Sequence, residues 1–99
     1  MQEDGPASPA WSLRLYVTGV TPRSTRAIQN LKAILEEHIP GEYDLEVIDV
    51  YQHPEALRQQ QLLVAPTLVK DLPSPARRLI GDLSNTERVI VGLDLRRRS

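Results

Sequence analysis

Val64-Ala-Pro-Thr-Leu-Val69 sets a proline between apolar neighbours at the point where a buried strand begins. Proline has no N–H to give to a ladder, so within sheets it belongs at a strand's first residue or on an edge. A loop proline directly before a strand is also the commonest place for a cis peptide bond, which is costly elsewhere. Val64 to Lys70 therefore reads as one strand of a mixed fold, and the flanking segments say which.

Upstream, Leu13, Leu15 and Val17 alternate with Ser12, Arg14 and Tyr16, the period of two expected of a strand with one buried face. Gly19 ends it. Thr21-Pro22 is a helix start, a hydroxyl N-cap followed by proline where a missing N–H costs nothing. Ala27, Ile28, Leu31, Ile34 and Leu35 follow at helical spacing, and Pro40-Gly41 stops the helix. Tyr43 to Val50 reads as a second strand, with Leu45 and Val47 on one face and Ile48 and Val50 on the other, a pattern that predicts an interior position. Together these make a strand, a helix and a parallel strand with a right-handed crossover.

Pro54 opens a short second helix, to about Gln61. After the proline strand, Pro73 and Pro75 form a turn and Arg77 to Ile80 a fourth strand ended by Gly81. Ser84-Asn-Thr-Glu87 has the pattern of a capping box before a last helix carrying Val89, Ile90 and Leu93. The fold class is α/β in the order βαβαββα, an order that resembles thioredoxin-like folds. The second half is less decided. Val64 to Val69 and Val89 to Leu95 are both apolar and β-branched enough for strand, and Gly92 inside the last helix costs about 1 kcal/mol relative to alanine. Pro66, Pro73 and Pro75 each admit a cis or a trans bond, so this half supports more than one packing.

Ninety-nine residues predict one domain with a modest core. Residues 1–11 read as a flexible leader, 12–95 as the domain and 96–99 as a basic tail. The core is aliphatic, with no phenylalanine and few aromatics. With no cysteine, disulfides, thiolate metal sites and sulfur nucleophiles are excluded. There is no signal segment and no apolar run of membrane length, so a cytoplasmic protein with no membrane association is expected. Residues 1–50 carry net charge −4 and residues 51–99 carry +3. That polarity suits self-association or an acidic protein partner and is too weak for nucleic acid.

Leu13-Arg-Leu-Tyr-Val-Thr-Gly19, Thr21-Pro22, Tyr43 with Val47-Ile-Asp-Val50, Ala65-Pro-Thr-Leu68, Leu72-Pro73, Arg77-Arg78, Ile80-Gly-Asp-Leu-Ser84 and Gly92-Leu-Asp-Leu95 occur in order. In that order and spacing they resemble the KaiB family of circadian clock proteins. The resemblance implies a non-enzymatic regulator without cofactor or metal. It implies a tetrameric or dimeric ground state whose C-terminal half packs as βαββααβ, and a rare thioredoxin-like monomer. The monomer binds the ATPase ring of a KaiC-type hexamer, sequesters KaiA and competes with the histidine kinase SasA. Here Asp44 and Glu46 reverse the charge on the edge associated with KaiA, which speaks against that partner. Gln61 stands where a lysine is common, and Arg96-Arg97-Arg98-Ser99 replaces an acidic tail. A KaiA-less timer or stress system fits these departures.

The same resemblance nominates Arg14, Arg26, Lys70, Arg77 and Arg78 as partner-binding residues, against the plain reading of each as a solvated charge. Arg14 and Lys70 are expected to face outward. It nominates Pro66, Pro73, Pro75, Gly92 and Asp94 for the exchange of folds, since glycine weakens a helix and a carboxylate opposes its C-terminal dipole. Gly92→Ala with Asp94→Arg is then expected to raise the monomer fraction, as read on a sizing column. His38 and His53 are too isolated to serve as metal ligands or bases. Asp49, with no nucleophile or second carboxylate, reads as an N-cap or turn residue, and Trp11 as a packing or interface aromatic. Two rivals stand beside the clock reading. One is a thioredoxin-like enzyme, for which the turn Gly19 to Ser24 offers only Thr21 and Ser24 and no thiol. The other is a KaiC-independent sensor or stress-response adaptor that binds a histidine kinase.

Overall fold

A computed structural model describes residues 10–19, 21–53, 55 and 66–95. Their elements are β1 (Trp11–Val17), α1 (Pro22–His38), β2 (Tyr43–Asp49), β3 (Thr67–Leu72), β4 (Arg77–Ile80) and α2 (Thr86–Leu93). The helix expected over Pro54 to Gln61 lies, Glu55 apart, outside the described residues, as do Val64-Ala65 and the tail 96–99. The four strands form one sheet in the order β2-β1-β3-β4, with β1 parallel to β2 and antiparallel to β3, and β3 antiparallel to β4.

Leu13, Leu15 and Val17 of β1 and Leu68 of β3 meet Ala27, Leu31, Ile34 and Leu35 of α1 and Val89 and Leu93 of α2 in one buried cluster. Both helices therefore lie on the same face of the sheet. Full burial of a leucine contributes about 1.5–3 kcal/mol, so the apolar stripe read from the sequence is what docks α1. On the other face Tyr16 and Val50 are buried, with Ile48 and Val69 packed against them.

The sequence places β2 inside the sheet, yet it is an edge strand. Among the described residues its pairing is with β1 alone. Apolar residues occur on both of its faces because Tyr43 and Leu45 join the helical cluster while Ile48 joins Tyr16 on the reverse. Covering on two faces does not require a neighbour on two edges.

Local chemistry explains the helix ends. Thr21 caps α1: its Oγ1 accepts from Ser24 N at 3.0 Å, and Ser24 Oγ accepts from Thr21 N at 3.0 Å. Serine thus replaces the usual glutamate of a capping box. At α2 the expected cap shifts by one residue. Asp82 Oδ1 takes the N–H of Ser84 at 3.1 Å, which leaves Asn85 to cap through Oδ1 from Arg88 N at 3.1 Å. The C-terminus of α2 closes on Asp94 in the left-handed region (φ 63°), with Leu95 N donating to Ile90 O at 2.8 Å and Leu95 buried in the core. The cis bonds among the described residues are Leu72–Pro73 and Ser74–Pro75, whereas the bond expected before Pro66 involves Ala65, outside them.

Candidate interaction surface

Register sorts the nominated cations onto separate surfaces. Across the face away from the helices runs a row from Glu46 of β2 through Arg14 of β1 and Val69 of β3 to Arg78 of β4. Arg14 is half-buried and already committed. Its Nε and Nη2 each donate to the Asp71 carboxylate at 2.7 Å, a fork-to-fork pair, and its Nη1 donates to Tyr16 Oη. The bond to Asp71 holds the Arg14 guanidinium above its ordinary value. Arg14 is thus a brace between β1 and β3 before it is a contact residue.

Lys70 corrects the sequence reading more sharply. Two residues beyond Leu68 on the same strand, it faces the helices and is 1% exposed. Its Nζ donates to Leu93 O at 3.3 Å, at the end of α2, and lies 5.3 Å from the centre of the Trp11 ring. A strand's period of two puts Lys70 beside Leu68, and α2 then covers it. The alternation and the last helix were legible; that this helix covers Lys70 was not.

Arg77, Arg78 and Arg26 remain exposed. Arg77 and Arg78 stand on the free edge strand β4 and point to opposite faces. Arg26 on α1 sits 3.8 Å from Asp82, and Asn30 donates to Asp82 O at 3.0 Å, so the loop after β4 is tied to α1. Bonds from Ser84 hold the Asp82 carboxyl below its usual value, with Arg26 and Arg23 adding to the effect. Between the starts of α1 and α2 the loop encloses a cleft of about 200 Å³, with Arg23 and Arg88 on its rim. Sequence reading missed those two. Their signal in the sequence is their place in the first turns of the two helices.

Exposed apolar side chains adjoin these charges. Ile80 is 58% exposed at the end of β4 and Val91 is 76% exposed on the outer side of α2. Arginines beside uncovered aliphatic groups have the composition of a protein-binding edge rather than of a small-molecule site. In the turn that holds a redox pair in thioredoxin-like enzymes, Thr21 and Ser24 are joined in the cap of α1. Ser24 is buried, and its Oγ donates to Gly19 O at 2.9 Å. Asp49 has the turn role expected of it, with Oδ1 accepting from Tyr51 N at 2.9 Å and Gly19 N at 3.2 Å. His53 lies 3.6 Å from Glu55, and among the described residues no group of His, Asp and Glu is disposed to hold a metal. No helix among them is long and apolar enough to cross a membrane.

Gly92 and Asp94 need a finer account than helix propensity. A Cβ at Gly92 would lie 2.6 Å from Leu79 Cδ2. The obstacle is the tip of one leucine beside an open groove that Leu79 itself lines, so it can turn aside at the expense of some of the gain. Asp94 opposes the helix dipole, but its charge also attracts Lys70. The two substitutions therefore do not act alike: Gly92→Ala favours α2, while Asp94→Arg trades a better dipole for a second cation near Lys70.

Among solved structures the chain is similar to the N-terminal domain of Synechococcus elongatus SasA, 26% identical with a TM-score of 0.69 over 100% of this chain and 96% of that one. It is similar in fold to chloroplastic thioredoxin z, 19% identical with a TM-score of 0.68 over 87% and 78%. The fold is therefore thioredoxin-like. In sequence it is 50% identical over 90 residues to the circadian clock oscillator protein KaiB of Thermostichus vulcanus, covering 91% of this chain and 83% of that protein. It is 47% identical over 83 residues to the circadian clock protein KaiB3 of Synechocystis sp., covering 84% and 81%. The KaiB domain model matches residues 14–95, from the Arg14 brace to the Leu95 closure of α2. With both the motifs and the whole domain matched, the chain belongs to the KaiB family.

Proposed function

We propose that the protein is a non-enzymatic timing regulator that binds a KaiC-type ATPase hexamer as a thioredoxin-like monomer and modulates its phosphorylation cycle. The observation that supports this most is the likeness to the SasA N-terminal domain along essentially the whole of both chains. Two proteins that compete for one ring need a common shape to present to it. The contact surface is the β4 side, where Arg77, Arg78 and Ile80 are exposed, with Arg26 at its border. Lys70 lies inside the fold rather than at the contact, and Arg14 braces the sheet. Pro66, Pro73, Pro75, Gly92 and Asp94 bear on which packing the C-terminal half adopts. A homo-oligomeric ground state holds the remainder of the population, and the acidic β2 edge formed by Asp44 and Glu46 disfavours KaiA.

Binding of one conformer makes the apparent affinity scale with that conformer's share of the population. A slow supply of that conformer delays assembly, which is useful to a timer. The test is co-elution of the chain with a phosphomimetic KaiC-type hexamer, with and without the SasA N-terminal domain. Co-elution that the SasA domain displaces is expected. Failure to co-elute, or binding indifferent to that competitor, contradicts the reading.

A further inference from the structure

We propose that Lys70 is a built-in charge penalty that keeps α2 releasable from the sheet, so that removing its charge tightens the docking of α2 while α1 is unaffected. Among the described residues four surroundings bear on its balance. Leu93 O accepts a long bond of 3.3 Å, and the Trp11 ring lies 5.3 Å away. Asp94, at the end of α2, attracts the ammonium, and Arg77 of β4 repels it. Against these stands almost complete burial, at 1% exposure. Among the described residues a long bond to one carbonyl, one ring and the charge of Asp94 stand in for the hydration of an ammonium, a poor exchange, and buried ions are often worse for stability than apolar groups of the same volume. In agreement, burial is the leading cause that lowers the Lys70 pKa from 10.5.

The sign of the pH effect follows. With its value lower when α2 is docked than when Lys70 is solvated, the open form binds more protons between the two values. Docking therefore strengthens as pH rises through that window and is weakest below it. This is the reverse of a lysine held by a salt bridge. A further titratable group near Trp11 is Tyr43, its cross-strand neighbour, whose hydroxyl pKa is raised by its bond to Glu36. The proposal concerns α2 alone and holds whether or not the chain engages a KaiC-type ring.

Trp11, the single tryptophan, reports from beside Lys70. The experiment compares the full chain with Lys70→Met by amide exchange near neutral pH and by urea titration of Trp11 emission toward pH 10. In Lys70→Met the α2 amides (Thr86–Leu93) are expected to exchange about tenfold more slowly, the scale on which apolar replacement of a buried ion acts, with α1 unchanged. The wild-type urea midpoint is expected to rise with pH and the Lys70→Met midpoint to stay flat apart from any Tyr43 contribution. Faster α2 exchange in Lys70→Met, equal changes in α1 and α2, or a wild-type midpoint that falls relative to that of Lys70→Met over that range would overturn the proposal. If Lys70→Met does not fold, the pH series of Tyr43→Phe, which lacks the opposing Tyr43 contribution, decides instead, with a rising midpoint expected and a falling one contradicting.

Discussion

Reversing both arginines of β4, as Arg77→Glu with Arg78→Glu, is expected to abolish co-elution with a KaiC-type ring while leaving the domain folded. Both side chains are exposed on a four-residue edge strand, so neither change opens a cavity or strands a buried group. Their cross-strand partners are Lys70 and Val69. Arg77 repels Lys70, so its replacement by a carboxylate relieves the fold rather than straining it. At an interface the outcome differs. A weakening of roughly a hundredfold, about 1.4 kcal/mol for each reversed arginine, is expected of exposed arginines at a docking edge. Binding that remains is expected to lose its usual weakening with added salt. Titration of the ring with wild type and the double variant, with urea midpoints as the control for folding, measures both. Equal affinities would remove β4 from the contact surface.

Leu15→Ala carries the largest expected cost to the fold. Leu15 has no exposed surface and sits at the centre of β1, between Val47 of β2 and Leu68 of β3 and under the helices. Truncating such a leucine costs about 3–5 kcal/mol, because lost transfer energy and an unfilled cavity add together. A domain of this size has about 5–15 kcal/mol in total. A urea midpoint cut by roughly a fifth or more is therefore expected, whereas the half-exposed Leu72→Ala should stay within about 1 kcal/mol of wild type. Similar midpoints for the two variants would mean that the sheet centre is not the heart of the core.

The first half of this fold was almost fully legible. Alternation over Leu13, Leu15 and Val17, the Thr21-Pro22 cap and the helical stripe to Leu35 are local signals, and each is realised at those residues. What remained hidden depends on partners distant in sequence. The edge position of β2 follows from β3 taking the other side of β1, which no pattern within β2 records. The shift of the α2 cap to Asn85 follows from Asp82 claiming the Ser84 N–H, one bond among several that the sequence allows. The candidate site was legible by residue type but not by exposure. Arg77 and Arg78 are exposed, whereas Arg14 is bound to Asp71 and Lys70 lies beneath α2. Charge is read from sequence; burial of a charge needs the element that covers it.

The most direct measurement is an amide spectrum of isotope-labelled chain during titration with an unlabelled, phosphomimetic KaiC-type ring. The thioredoxin-like monomer should be one of at least two forms seen before the ring is added, and its signals should vanish first, beginning at Arg77 to Ile80 as the chain joins a slowly tumbling complex. A single set of signals that the ring leaves untouched would mean that this domain does not work by lending one of its shapes to a motor.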